Sequence, residues 1–259
     1  MSDFGIGKTT VIPVRATASE KAEMLSQILF GEIFEILSYN KKWSYIKNLN
    51  DNYEGWIDSK MCYKITKEKA NEILNSDSFI TSKLFSYARN ISSKQNFIIP
   101  AGSVLPFYNK SDKSFKLLDN KYQLSSKDDN STNNISVSEI AKQFIGAPYL
   151  WGGKSPFGID CSGFTQIIYK ILNINIPRDA KEQVNKGTEI SFLDKTKEGD
   201  LVFFDNEENE IIHVGIILSE NKIIHASGSV RIDKLDHQGI YNYEEKCYTH
   251  KLRIIKRIK

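Results

Sequence analysis

The sequence predicts an α+β protein in which small β-barrels precede a domain that packs a cysteine-bearing helix on an antiparallel sheet. Three observations predict it. Residues 11–64 alternate short β-like runs with Gly, Asn, Asp and Lys turn clusters. Residues 125–136, SSKDDNSTNNIS, nearly lack apolar side chains and read as a linker. Beyond them, a Gly- and Pro-rich loop leads into a helical pattern at Cys161, and several strand-like runs follow.

In chain order, VIPVR, ILFGEIFEIL, WSYIKN and YEGWID are the first strand candidates, at the spacing of a small barrel. KEKANEILN is a helical or irregular patch. Strand-like runs return in FIIPAGSVLPFYN, SFKLL and KYQL, and IPAGSVLPFY weakly echoes the earlier strand, Gly turn, strand unit. These limits give domains at 1–64, 65–130 and 131–259. After the linker, SVSEIAKQFIGA fits a helix with Ser138 as N-cap and Gly146 as its stop. Phe164, Ile167, Ile168, Ile171 and Leu172 form one apolar helix face behind Cys161, with Asp160 as N-cap. LVFF, IIHVGIIL, KIIHAS and RIIKRI are the strands of the sheet.

The 259 residues suit two or three domains, and 40% hydrophobic with 11% aromatic content is ample for packed cores. The net charge, 35 − 32 = +3, gives no case for a nucleic-acid partner. Cys62, Cys161 and Cys247 lie far apart without a C-x-x-C pair, which argues against a cysteine zinc cluster and a disulfide framework. MSDFGIGKTTVIPVR lacks the apolar core of roughly 7–15 residues that marks a signal peptide. No stretch approaches the ~20 apolar residues of a membrane span. The expectation is a soluble, cytoplasmic protein without a membrane partner, or a periplasmic one if a leader has been removed.

A sulfur in a first helical turn sits near unpaired N–H groups and the positive end of the macrodipole, which favour thiolate. A small buried structural cysteine fits the same pattern. A nucleophilic cysteine needs a base, and the base needs an orienting group. His213 lies within an apolar strand with Gly215 next on its face, which leaves room for another group or a substrate. His225 lies in the following run, and the turn at SENK makes a hairpin that brings the two rings together. They follow Cys161 by 52 and 64 residues. His237 and His250, in polar context, read as surface histidines. Zinc on Cys161, His213 and His225 would lack a clear fourth ligand or acidic helper.

PYLWGG, DCSGF, IPRDAKEQ, KEGDLVFF, HVGIIL and IIHASG, in this order, resemble the motifs of the NlpC-type, papain-like bacterial cysteine peptidases, over about residues 136–259. The two N-terminal β units resemble bacterial SH3-like domains. The combination resembles the γ-D-glutamyl-L-diamino acid endopeptidases (dipeptidyl-peptidase VI), which act on murein peptides with a free N-terminal L-Ala. That resemblance implies Cys161 as nucleophile, His213 as general base, His225 as its orienter and Tyr149 as a donor to the oxyanion, with no cofactor. It implies Ser162 and Asp179, of the Arg178–Asp179 pair, at the substrate site, and Trp151 as a wall of it. Ala180 departs from the family pattern, where Ser commonly follows the Asp. The first SH3-like domain would gate the groove, with Glu23 reading the substrate ammonium and Tyr53 as its companion. Bland alternatives stand beside these: a loop carboxylate for Glu23, barrel core for Tyr53, a surface turn for Arg178–Asp179, helix capping for Ser162. At the level of the whole chain, an exported hydrolase of intact wall and a non-catalytic wall-binding protein are the competing expectations.

Overall fold

A computed structural model of the chain describes residues 3–125, 135–219 and 221–258. It divides into two compact units, Met1–Asn133 and Asn134–Lys259. Most of the predicted linker, residues 126–134, lies outside the described residues.

The first unit is built of β-sheets. A seven-stranded antiparallel sheet runs in the order Met24–Leu29, Val11–Arg15, Glu54–Asp58, Trp43–Asn48, Ile33–Asn40, Asp3–Gly7, Cys62–Ile65. Alternating apolar residues, among them Ile12, Val14, Ile28, Phe34, Ile46 and Ile57, fill its interior. The second β body has Asn96–Pro100, Phe85–Asn90, Asn120–Leu124 and Ser114–Leu117 in one sheet. Phe4, Ile6, Phe30 and Ile33 of the first body share a core with Ala88, Ile99, Phe115 and Leu117 of the second. The patch KEKANEILN begins a helix, Lys67–Leu74, whose N-cap Thr66 accepts from the Lys69 amide. The strand Asp3–Gly7, the edge strand Cys62–Ile65 and the strand Phe85–Asn90 were not anticipated. The first is Gly-rich, the second only four residues long, and the third interrupts its apolar residues with Ser, Arg and Asn.

In the second unit, strands run Thr188–Glu189, Cys247–Arg257, Leu201–Asp205, Ile211–Ile217, Lys222–Ser227, Ser229–Leu235, Gly239–Asn242. The last pairs back onto Cys247–Arg257 and closes the sheet on itself. Val202, Phe204, Ile217, Ile223, Leu235, Ile240 and Ile255 form its core. The helix Cys161–Ile171 packs against the strands Ile211–Ile217 and Lys222–Ser227, as the α+β prediction required.

Two local predictions are corrected. The helix Val137–Gln143 is capped by Ser136, not Ser138, because only Ser136 has Glu139 three positions on to complete a capping box. The Cys161–Ile171 helix is not amphipathic in place: every residue in it is buried. Its polar members turn inward to partners, Thr165 donating to the Gln183 side chain at 2.8 Å and Gln166 to the Ile176 carbonyl at 3.1 Å.

Candidate active site

The position of Cys161 is fixed by one buried carboxylate. Asp160 caps the helix by accepting from the Gly163 amide at 2.7 Å, and its other oxygen accepts from the Gly152 amide at 2.8 Å. The Arg178 guanidinium, 1% exposed, donates to both oxygens, at 3.0 and 2.5 Å. It also donates to the Ser162 hydroxyl at 2.9 Å. Loop, helix and the IPRD segment are thereby joined around Asp160. Gly163 permits the closeness: a Cβ there would stand 2.2 Å from the Gly153 carbonyl oxygen.

Cys161 is 7% exposed. Burial, reinforced by the Asp160 carboxylate, pushes its thiol up to about 12; the Val214 amide, the Arg178 charge and the Ser162 amide oppose this and lose. The thiolate expected from the helix start is therefore corrected. Desolvation and the capping carboxylate outweigh the macrodipole, and the resting sulfur is a neutral thiol that needs a base. Because the Val214 amide bonds the sulfur, the thiol lies against the strand that carries His213.

The predicted hairpin forms, with Ile216 opposite Ile224 and Ile217 opposite Ile223. Continuing this register brings His225 opposite Gly215 and diagonal to His213. Gly215 is the reason the approach works. The space above it is filled by the Ile223 side chain and by the His225 Cβ, 2.9 Å from where a Cβ on residue 215 would stand. His213 Nε2 and His225 Nδ1 are 2.8 Å apart, and both rings are buried. His225 Nε2 in turn lies 3.0 Å from Asp233 Oδ2. Burial, then His250 and His225, push His213 well below the ordinary imidazole range, so its ring rests neutral. A neutral imidazole with one nitrogen engaged by His225 keeps the other, Nδ1, for a proton.

Sequence reasoning missed two residues of this cluster. Asp233 is carried by Ser229–Leu235, a strand that reads as a polar loop; the RID triplet after the tight turn at Gly228 is its only sequence signal. His250 is corrected from surface histidine to cluster member. Its ring stacks on His213 at 4.1 Å because the closing strand passes behind that residue. His237 is exposed, as expected.

Tyr149 is half-buried, with its amide donating to the Gly228 carbonyl. Burial, then the charges of Cys161 and Asp160, push its hydroxyl up to about 12, so it stays a proton donor near the sulfur. The Ser162 hydroxyl turns inward, accepting from Arg178 and donating to Asp160 at 3.3 Å. Asp179 is half-buried at the start of the short helix Ala180–Gln183, and Ala180 is buried. Trp151 is 60% exposed at the loop surface. Glu23, exposed, and Tyr53, half-buried, lie in the first unit, just before Met24–Leu29 and Glu54–Asp58. Among the described residues, no three His, Cys, Asp or Glu side chains are grouped to hold a metal ion.

Comparison with known proteins identifies the two kinds of domain. The NlpC/P60 family profile matches residues 146–250, and that of the bacterial dipeptidyl-peptidase Sh3 domain matches residues 14–61. A protein of Bacillus subtilis named gamma-D-glutamyl-L-lysine dipeptidyl-peptidase is 30% identical over 217 residues, covering 78% of this chain and 71% of that one. Its Bacillus cereus namesake is 28% identical over 241 residues, covering 83% and 71%. The crystal structure of an NlpC/P60 family protein from Bacillus cereus shares the fold, with a TM-score of 0.82 at 20% identity over 98% of this chain and 99% of that one. The chain thus belongs to the NlpC/P60 family of cysteine peptidases, with an SH3-like domain preceding the peptidase domain.

Proposed function

We propose that the protein is a γ-D-glutamyl-diamino acid endopeptidase that releases L-Ala-γ-D-Glu from murein peptides bearing a free N-terminal L-Ala. The observation that carries this is the buried His213–His225 pair beside the Cys161 helix, in a chain whose relatives over most of its length are named gamma-D-glutamyl-L-lysine dipeptidyl-peptidase.

In this reading His213 Nδ1 takes the Cys161 proton as the sulfur attacks the γ-carbonyl carbon of D-Glu. The carbonyl oxygen becomes an oxyanion that accepts from the Tyr149 hydroxyl and a backbone amide at the helix start. His213, now imidazolium, returns the proton to the leaving amine of the diamino acid, and the C–N bond breaks. Water, deprotonated by His213, then attacks the thioester and frees the dipeptide. His225 holds the His213 ring in place. Asp179 and Trp151 contact the substrate, and Glu23 with Tyr53 reads the ammonium of L-Ala. Ser162, turned toward Arg178 and Asp160, joins the pair that holds the helix start. No cofactor is needed for any step.

A free-amine requirement suits an enzyme of cytoplasmic peptide recycling rather than one cutting intact wall, where that amine is acylated. The test compares L-Ala-γ-D-Glu-diaminopimelate, its Lys analogue and the N-acetylated peptide. Cleavage of the free peptides alone is the expected result. Equal rates on the N-acetyl peptide would favour wall cutting and remove the role given to Glu23.

A further inference from the structure

We propose that Asp233, clamped by Arg231, is a positioning residue that sets the tautomers of both histidines and so leaves the His213 Nδ1 lone pair free to accept a proton. Asp233 is 7% exposed and His225 1%. Arg231 Nε lies 2.9 Å from Asp233 Oδ2 and its Nη2 donates to Oδ1 at 3.0 Å, so both carboxylate oxygens face donors. Burial works against this carboxylate, yet bonds from His225 and Arg231, and then their charges, hold it below the ordinary range. An ionised carboxylate only accepts, so His225 must carry its proton on Nε2, 3.0 Å away.

A His225 ring that carries a single proton, on Nε2, presents a bare Nδ1. The nitrogen 2.8 Å from it, His213 Nε2, must then be the donor. A neutral His213 protonated at Nε2 has its lone pair on Nδ1. One carboxylate thus dictates the state of a ring it does not touch. Arg231 extends the chain outward, to Glu244 at 3.3 Å and the Asn242 side chain at 3.4 Å. When His213 takes up a proton, its charge is opposed along the same line by Asp233.

Asp233→Asn is an informative variant because an amide cannot satisfy both neighbours. With its NH2 toward His225, the tautomers reverse and His213 points a proton outward. With its NH2 at the other position, a donor faces the Arg231 donor.

The inference rests on Cys161 and His213 acting as nucleophile and base, and the experiment separates the two. Long-range 1H–15N correlation on the ¹⁵N-labelled wild-type chain reads the tautomers directly, without any variant. Protons on Nε2 of both His225 and His213 are expected; a proton on His225 Nδ1 overturns the proposal. In Asp233→Asn, kcat should fall at least about 10-fold with KM nearly unchanged. Full kcat in Asp233→Asn beside a dead His213→Ala sinks this inference alone. An active His213→Ala sinks the underlying mechanism instead.

Discussion

His250 stacks on His213 with ring centroids 4.1 Å apart and planes inclined by 29°, while His213 meets His225 nearly edge-on at 85°. The base is thus held from two sides by imidazoles that disfavour its protonation. Burial pushes His250 itself down to about 4, so at neutral pH it is an uncharged plate.

This geometry sets the acid limb of activity. Because His213 is depressed by burial, then by His250 and His225, it stays a competent base below pH 6.5. The acid limb of kcat/KM should therefore lie below the ordinary histidine value. His250→Phe keeps the stack but removes a cation at low pH, so His213 should gain basicity and the limb should move up. A wild-type limb above 6.5, or one unmoved in the variant, would contradict the assignment.

Acid stability follows with a definite sign. His250 has a folded pKa near 4 and an ordinary value of 6.5, so the unfolded chain binds the extra proton first. Its contribution is fully present above 6.5 and is lost as pH falls toward 4. Denaturant midpoints of wild type and His250→Phe should diverge across that window, with the variant losing less. Parallel curves would refute the burial argument.

The Cys161 thiol, held near 12 against an ordinary 9, makes the opposite statement. The folded state keeps the proton longer, so this stabilisation is complete below pH 9 and fades as pH rises toward 12. At neutral pH, iodoacetamide should alkylate the exposed Cys247 before Cys161, as followed by peptide mass spectrometry. Faster labelling of Cys161 would show that the free enzyme already holds a thiolate.

Arg178 tests the scaffold rather than the chemistry. Arg178→Met strands the buried Asp160 carboxylate that caps the Cys161 helix. The expected loss is about 3–5 kcal/mol, visible as a large fall in the thermal midpoint. A variant melting with wild type would mean that the pair does not hold the helix start.

How much of this the sequence carried depends on the kind of signal. Asp160 and Cys161 were legible because an N-cap beside glycines and an apolar helix pattern are local features. His213 and His225 were legible because period-2 strands and a short turn place them together. Asp233 was not, since the strand that carries it was not anticipated, and neither was His250, whose contact comes from strand closure, which brings Cys247–Arg257 behind Phe204 and His213. The thiol's protonation was misjudged for a related reason: burial comes from the fold, whereas the helix end is written in the chain. Arg178 was legible as a motif residue, but its inward turn toward Asp160 was not.

The central claim is that Cys161 is the nucleophile of a γ-D-glutamyl peptidase. Turnover of L-Ala-γ-D-Glu-diaminopimelate by purified Cys161→Ala, with peptide binding measured on the same sample, tests it most directly. Undetectable cleavage with binding and melting temperature preserved is the expected result. Wild-type turnover in that variant would contradict it.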